Sequence, residues 1–195
     1  MRSSYIENNY DEVLKSYILN WRPTTLVELG VLDGYSTIAI AEAVKEMNFL
    51  YQMNSKLQSY DLFEDYEFKH GVKEEVEKLI EEKGLTPYVD VIKGDAYKVH
   101  ELYPDNSVQF LHVDISNTGD TLREITKLWT PKLIERGLIL FEGGSDERDH
   151  NEWMTKYNKS SIKKEMETNK FINTNYIYGT YYPYPSLTVF LKKWG

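Results

Sequence analysis

The sequence predicts an α/β fold. It is expected to form a single doubly wound domain over residues 1–195, built on a mostly parallel seven-stranded sheet with a C-terminal antiparallel strand pair. Three observations lead there. Short apolar runs alternate with amphipathic stretches from Tyr10 to Phe141, the pattern of βαβ units. The first of these runs enters its helix through a turn that carries Gly30 and Gly34. After Gly144 the alternation stops, and two aromatic-rich runs joined by a proline-containing connection close the chain.

The elements follow in order. Tyr10 to Trp21 places Val13, Leu14, Tyr17, Ile18 and Trp21 on one helical face, and Pro23 ends the helix. Thr24 to Leu29 reads as the first strand, Gly30 to Gly34 as a turn, and Ser36 to Met47 as a helix capped by Ser36. Leu57 to Leu62 is a second strand, and Lys69 to Lys83 a charged helix closed by Gly84. Tyr88 to Ile92 is a third strand and Val108 to Val113 a fourth. Asp120 to Leu128 is helical, Lys132 to Glu135 a turn, and Gly137 to Phe141 the fifth strand. Beyond it, Asp149 to Tyr157 and Ser161 to Glu167 read as short polar helices. Asn175 to Tyr182 and Ser186 to Leu191 then read as two strands that pair at a sheet edge.

Composition narrows the function. A chain of 195 residues with 41% apolar and 28% charged residues is an ordinary globular balance. No apolar run is long enough to span a membrane, and the stretch from Met1 to Asn9 has no apolar leader, so the expected location is the cytoplasm. The lack of cysteine removes disulfides, thiolate zinc sites and cysteine nucleophiles together. A net charge of −8 argues against a nucleic-acid partner, because phosphate backbones attract basic surfaces.

The most informative segment runs from Val27 to Thr37. A glycine at position 30 permits a backbone conformation closed to other residues and lets a ligand approach the main chain. The helix start near Ser36 presents N–H groups, and a parallel sheet binds ligands at the carboxyl ends of its strands. The spacing from Gly30 to Gly34 is not that of a dinucleotide site. A tail with one ammonium and one carboxylate fits it better: Glu28 offers charge for the ammonium and the turn offers N–H donors. A βα turn with no ligand is the plainer alternative. Three further acids fall at strand ends, where each also reads as a surface acid or a cap: Asp61, Asp114 and Glu142. Asp95, in Gly94-Asp95-Ala96, reads equally as a helix cap.

Val27-Glu28-Leu29-Gly30 through Gly34-Tyr35-Ser36-Thr37 resembles motif I of class I S-adenosylmethionine-dependent methyltransferases. It is most similar to the catechol-type and the sugar and macrolide O-methyltransferases, and the resemblance covers roughly Thr24 to Gly143. It implies S-adenosylmethionine as cofactor, held by Glu28, Gly30, Asp33, Gly34 and Ser36 at the turn. It implies ribose contact by Asp61, adenine contact by Asp95 and Ala96, and a further cofactor contact by Asp114. In metal-dependent relatives, acids at the positions of Asp114 and Glu142 help bind Mg²⁺. Here the usual acid and histidine after the fourth strand are replaced, in Asp114-Ile115-Ser116-Asn117, and Glu142 is followed by Gly143. The same two residues therefore also read as a structural pair.

Asp114, Glu142 and His150 are the candidates for orienting or deprotonating an acceptor. His150 also reads as plain surface, and His112 as core; His70 and His100 read as helix residues. The tail tyrosines and Trp153 read as an acceptor wall or as packing. The expected activity is methylation of a small-molecule hydroxyl, on a pocket completed by the loop after Glu142 and the N-terminal helix, or by a second subunit of a homo-oligomer. Two alternatives stand beside it: a nicotinamide-dependent oxidoreductase, and a degenerate cofactor-binding partner protein without catalysis.

Overall fold

The structure is a computed structural model that describes residues 5–194. The N-terminal stretch read as lacking a leader begins in residues 1–4, which lie outside the described residues. Seven strands form one sheet in the order β3-β2-β1-β4-β5-β7-β6, mostly parallel with an antiparallel C-terminal pair, as expected. The strands are β1 Thr25–Leu29, β2 Lys56–Asp61, β3 Val89–Lys93, β4 Val108–Val113, β5 Leu133–Glu142, β6 Tyr176–Tyr181 and β7 Leu187–Lys192. The chain divides into two compact units, residues 1–99 and 100–195.

In the first unit, β1 pairs parallel with β2 and β2 with β3. Helix α1, Tyr10–Trp21, packs on α2, Tyr35–Tyr51. Leu14, Ile18, Leu26, Val27, Ile40 and Val44 are all buried and form this core; of the face read for the first helix, Val13 and Tyr17 are half-buried and Trp21 is exposed. Arg22 adopts a left-handed conformation and closes α1 with its N–H on the Ile18 carbonyl, just ahead of Pro23. Ser36 is not the cap of α2. Gly34 holds that position with φ +83°, and Ser36 lies inside the first turn with its hydroxyl turned to Glu28. Helix α3, Lys73–Glu82, starts later than its charge pattern suggested. A Cβ on Gly71 would collide with the Leu32 carbonyl oxygen, so residue 71 packs directly against the glycine turn, ahead of the helix start at Lys73. His70 therefore belongs to a loop, and His100 to the short 3-10 helix Val99–Leu102.

In the second unit, β4 pairs parallel with β5, and β7 lies antiparallel to both β5 and β6. Strand β5 absorbs Leu133 to Glu135 of the stretch expected to be a turn, leaving Lys132 in a turn, and its register against β4 shifts between Val108 and Phe110. Arg136 at φ 60° marks the irregularity. Helix α4, Gly119–Trp129, is capped by Thr118, whose hydroxyl accepts from the Thr121 N–H, and it buries Leu122, Ile125 and Trp129. The polar stretch after Gly144 breaks into α5, Asp146–Asp149, and α6, Glu152–Lys156, because Asn151 caps a new start by accepting from the Met154 N–H at 2.8 Å. Helices α7, Ile162–Thr168, and α8, Lys170–Asn175, follow; the second was not legible as a helix. Among the described residues no helix is long and apolar enough to cross a membrane.

Candidate active site

Three parallel strands of the first unit end side by side. The Gly30 N–H donates to the Tyr60 carbonyl, and the Gly94 N–H to the Asp61 carbonyl, each at 2.9 Å. Each strand is followed or closed by a half-buried carboxylate: Asp33 after β1, Asp61 at the end of β2 and Asp95 after β3. Gly30 sits at φ +95° and Gly34 at φ +83°, a region that strongly favours glycine, so the chain turns sharply between β1 and α2.

Asp61 fastens that turn. Its Oδ2 accepts from the N–H groups of Val31 at 2.7 Å and Leu32 at 3.0 Å, and its Oδ1 from Phe63 at 2.8 Å. Glu28 fastens it from below. This carboxylate has no exposed surface and accepts hydroxyl protons from Ser36 at 2.7 Å, Thr37 at 2.6 Å and Ser59 at 2.7 Å. Glu28 thus ties β1, β2 and the start of α2 together, and its side chain lies in the core instead of facing a ligand tail. Asp95 caps the next turn, with Oδ1 accepting from the Tyr97 N–H and its carbonyl from Lys98 and Val99. Ala96 is half-buried beside it.

The second unit holds a different cluster. Glu142 ends β5, and Gly143 and Gly144 follow at φ +110° and +117°. That reversal brings α5 back over the strand end. Arg148 then meets Glu142 with two hydrogen bonds, Nε to Oε1 at 2.9 Å and Nη2 to Oε2 at 3.2 Å. Both side chains are nine-tenths or more buried. Asn117 anchors the loop after β4, donating from Nδ2 to the Val113 and Glu142 carbonyls, while its own carbonyl accepts from Arg148 Nη2 at 3.3 Å. Burial pushes the Glu142 carboxyl above the usual carboxylate range, with Arg148 and His112 pulling against it. Burial works to lower the Arg148 guanidinium, but Glu142, then Tyr184 and Asp114, outweigh it and keep Arg148 charged. Asp114 is half-buried at the end of β4, and His112 is fully buried within that strand.

These residues do not fit the divalent cation considered for Asp114 and Glu142. Both Glu142 oxygens already bind a cation, the guanidinium. Among the described residues no group of three or more His, Cys, Asp or Glu is placed to hold a metal ion. His150 is exposed at the end of α5 with its Nδ1 against the Asp146 carbonyl at 2.7 Å. Trp153 lies 5.6 Å from the Arg148 guanidinium, and Tyr181, Tyr182 and Tyr184 are exposed. Arg148, Asn117, Thr37 and Ser59 carry no role assigned from the sequence. The one available signal was a cation and an acid flanking a double glycine.

Comparison with known proteins places this geometry. The family model described as a methyltransferase domain matches residues 27–142. No curated protein matches in sequence. Among solved structures, the chain is similar to an O-methyltransferase from Bacillus cereus in complex with S-adenosylhomocysteine, at 14% identity and TM-score 0.69, covering 98% of this chain and 84% of that one. It is also similar to a Streptomyces achromogenes O-methyltransferase involved in tomaymycin synthesis, in complex with S-adenosylmethionine, at 12% identity and TM-score 0.69, covering 95% and 80%. A Podospora anserina methyltransferase bound to S-adenosylhomocysteine matches at 14% identity and TM-score 0.67, covering 99% and 80%.

Proposed function

Because the chain belongs to the methyltransferase domain family, we propose that it moves the methyl group of S-adenosylmethionine to a hydroxyl oxygen of a small molecule, with residues 1–195 working as one catalytic domain. The observation that carries this reading is the row of half-buried acids, Asp33, Asp61 and Asp95, after three adjoining strand ends. The cofactor is rich in donors: an ammonium, two ribose hydroxyls and an adenine amino group. Carboxylates are acceptors only, so the two sets are complementary. Asp61 keeps acceptor capacity beyond its three backbone bonds, since a carboxylate offers about four lone-pair sites. That the similar structures were crystallised with this cofactor or its demethylated product supports the same reading.

The turn disfavours a dinucleotide. A pyrophosphate needs free N–H groups, and those of Gly30, Val31, Leu32 and Gly34 are already engaged, so the turn also lacks the N–H donors expected there for a ligand carboxylate. It would also meet the negative charge of Asp33 and Asp61.

When bound, the cofactor would supply an activated methyl, whose carbon would bond to the acceptor oxygen as its bond to sulfur breaks and the electron pair returns to sulfur. The protein's own work is alignment. Asp33, Asp61 and Asp95 hold the cofactor, Glu28 keeps the turn in shape, and Asp114 receives the proton of the acceptor hydroxyl. Titration calorimetry of the wild-type chain with S-adenosylmethionine and with NAD checks this. The expected outcome is saturable heat with the first and none with the second. Binding of NAD alone would overturn it.

A further inference from the structure

Resting on the methyltransferase reading, we propose that the Arg148 guanidinium engages the acceptor, its Nη1 hydrogen-bonding the oxygen of a neutral hydroxyl. The guanidinium uses Nε and Nη2 on Glu142 and on the Asn117 carbonyl. Its Nη1 is buried and, among the described residues, has no hydrogen-bond partner. Native proteins seldom leave such a group unmatched, because the desolvation it suffers is not returned. A second orphan lies on the residue it already touches: Asn117 Oδ1 is also buried and unpartnered. The amide is not simply turned around, since its Nδ2 donates to two carbonyls. One orphan is a donor and the other an acceptor. A hydroxyl group is both, and so complements the pair.

Charge selects among ligands. Glu142 balances Arg148, and Asp114 adds a further negative charge close enough to favour the charged guanidinium. A carboxylate or phosphate entering this cluster would meet an excess of negative charge. A divalent ion would have to displace the guanidinium from Glu142. A neutral hydroxyl meets neither obstacle, and an N–H donor of an ionised group stabilises negative charge growing on its oxygen as the proton leaves. Trp153 presents its aromatic ring to the same guanidinium, 5.6 Å away.

Phenol is the probe, with benzene as the control that lacks the hydroxyl. The protein is labelled with ¹⁵N-arginine and the Arg148 guanidinium resonances are followed by NMR. Phenol is expected to shift them and benzene to leave them in place. In the double variant Arg148→Met with Glu142→Gln, which removes both buried charges and so remains foldable, phenol affinity should fall about tenfold, the worth of one charged hydrogen bond. Arg148→Lys, which keeps charge but lacks the fork, should recover only part of it. Affinity for S-adenosylhomocysteine should be unchanged in both. The proposal is overturned if phenol leaves the Arg148 resonances unmoved, if the double variant binds phenol as well as the wild type, or if Mn²⁺ binds the wild type at Asp114 and Glu142. Absence of S-adenosylhomocysteine binding would defeat the methyltransferase reading, while the phenol result would still decide the role of Arg148.

Discussion

Each half of the chain buries a glutamate at the carboxyl end of a strand, and the two halves hold it by different means. Glu28 in β1 accepts from three neutral hydroxyls, those of Ser36, Thr37 and Ser59. Glu142 in β5 pairs with a full cation on Arg148. The hydroxyls come from a helix start and a neighbouring strand, and each can rotate to give or take a proton. The guanidinium comes from a short helix beyond a glycine reversal and can only donate. The first arrangement holds a turn in shape and is expected to tolerate the loss of one member. The second concentrates charge, fails as a unit when one partner goes, and leaves a donor unspent. One half scaffolds the glycine turn; the other keeps a buried cation beside a strand end.

The sharpest way to break this contrast is to remove one partner of the charged pair. Arg148→Met should strand a buried carboxylate and destabilise the fold by about 3–5 kcal/mol, while adding Glu142→Gln should restore most of it. Urea unfolding followed by circular dichroism reads both; an unchanged midpoint in the single variant would show that the pair is not buried as described. Glu28→Gln should cost less, about 1–3 kcal/mol, because the three hydroxyls can turn to meet the new amide. Should it match Arg148→Met, the distinction between adaptable and fixed partners is lost. Smaller still is Gly34→Ala. Its φ of +83° and a Cβ 3.0 Å from Val76 Cγ1 predict a cost of about 1–2 kcal/mol, the price of a left-handed non-glycine residue.

Local chemistry explains what the sequence disclosed. β1, the glycine turn and α2 are contiguous, and positive-φ glycines between an apolar run and a helix declare themselves without tertiary information. So do Asp61 and Asp95, which stand at strand ends. Glu28 stands in the contiguous motif, but its partners were not visible: Ser59 is 31 positions away and meets it only through the register of Glu28 with Ser59 across β1 and β2. The charged pair was hidden for another reason. Glu142 and Arg148 are six positions apart, and only the double reversal at Gly143 and Gly144 folds one onto the other. Asn151, read as mid-helix, acts as a cap because its side chain competes for backbone N–H groups.

The most direct test of the central claim is a calorimetric titration of S-adenosylhomocysteine into the wild-type chain and into Asp95→Ala. This acid is half-buried, bonded to its own turn and distant from the network around Glu28 in sequence, so the variant should fold. The strand-end acids predict saturable binding by the wild type and affinity lower by about tenfold or more in the variant, with an unfolding midpoint close to that of the parent. Equal affinity in the two proteins, or no heat from either, would contradict the account.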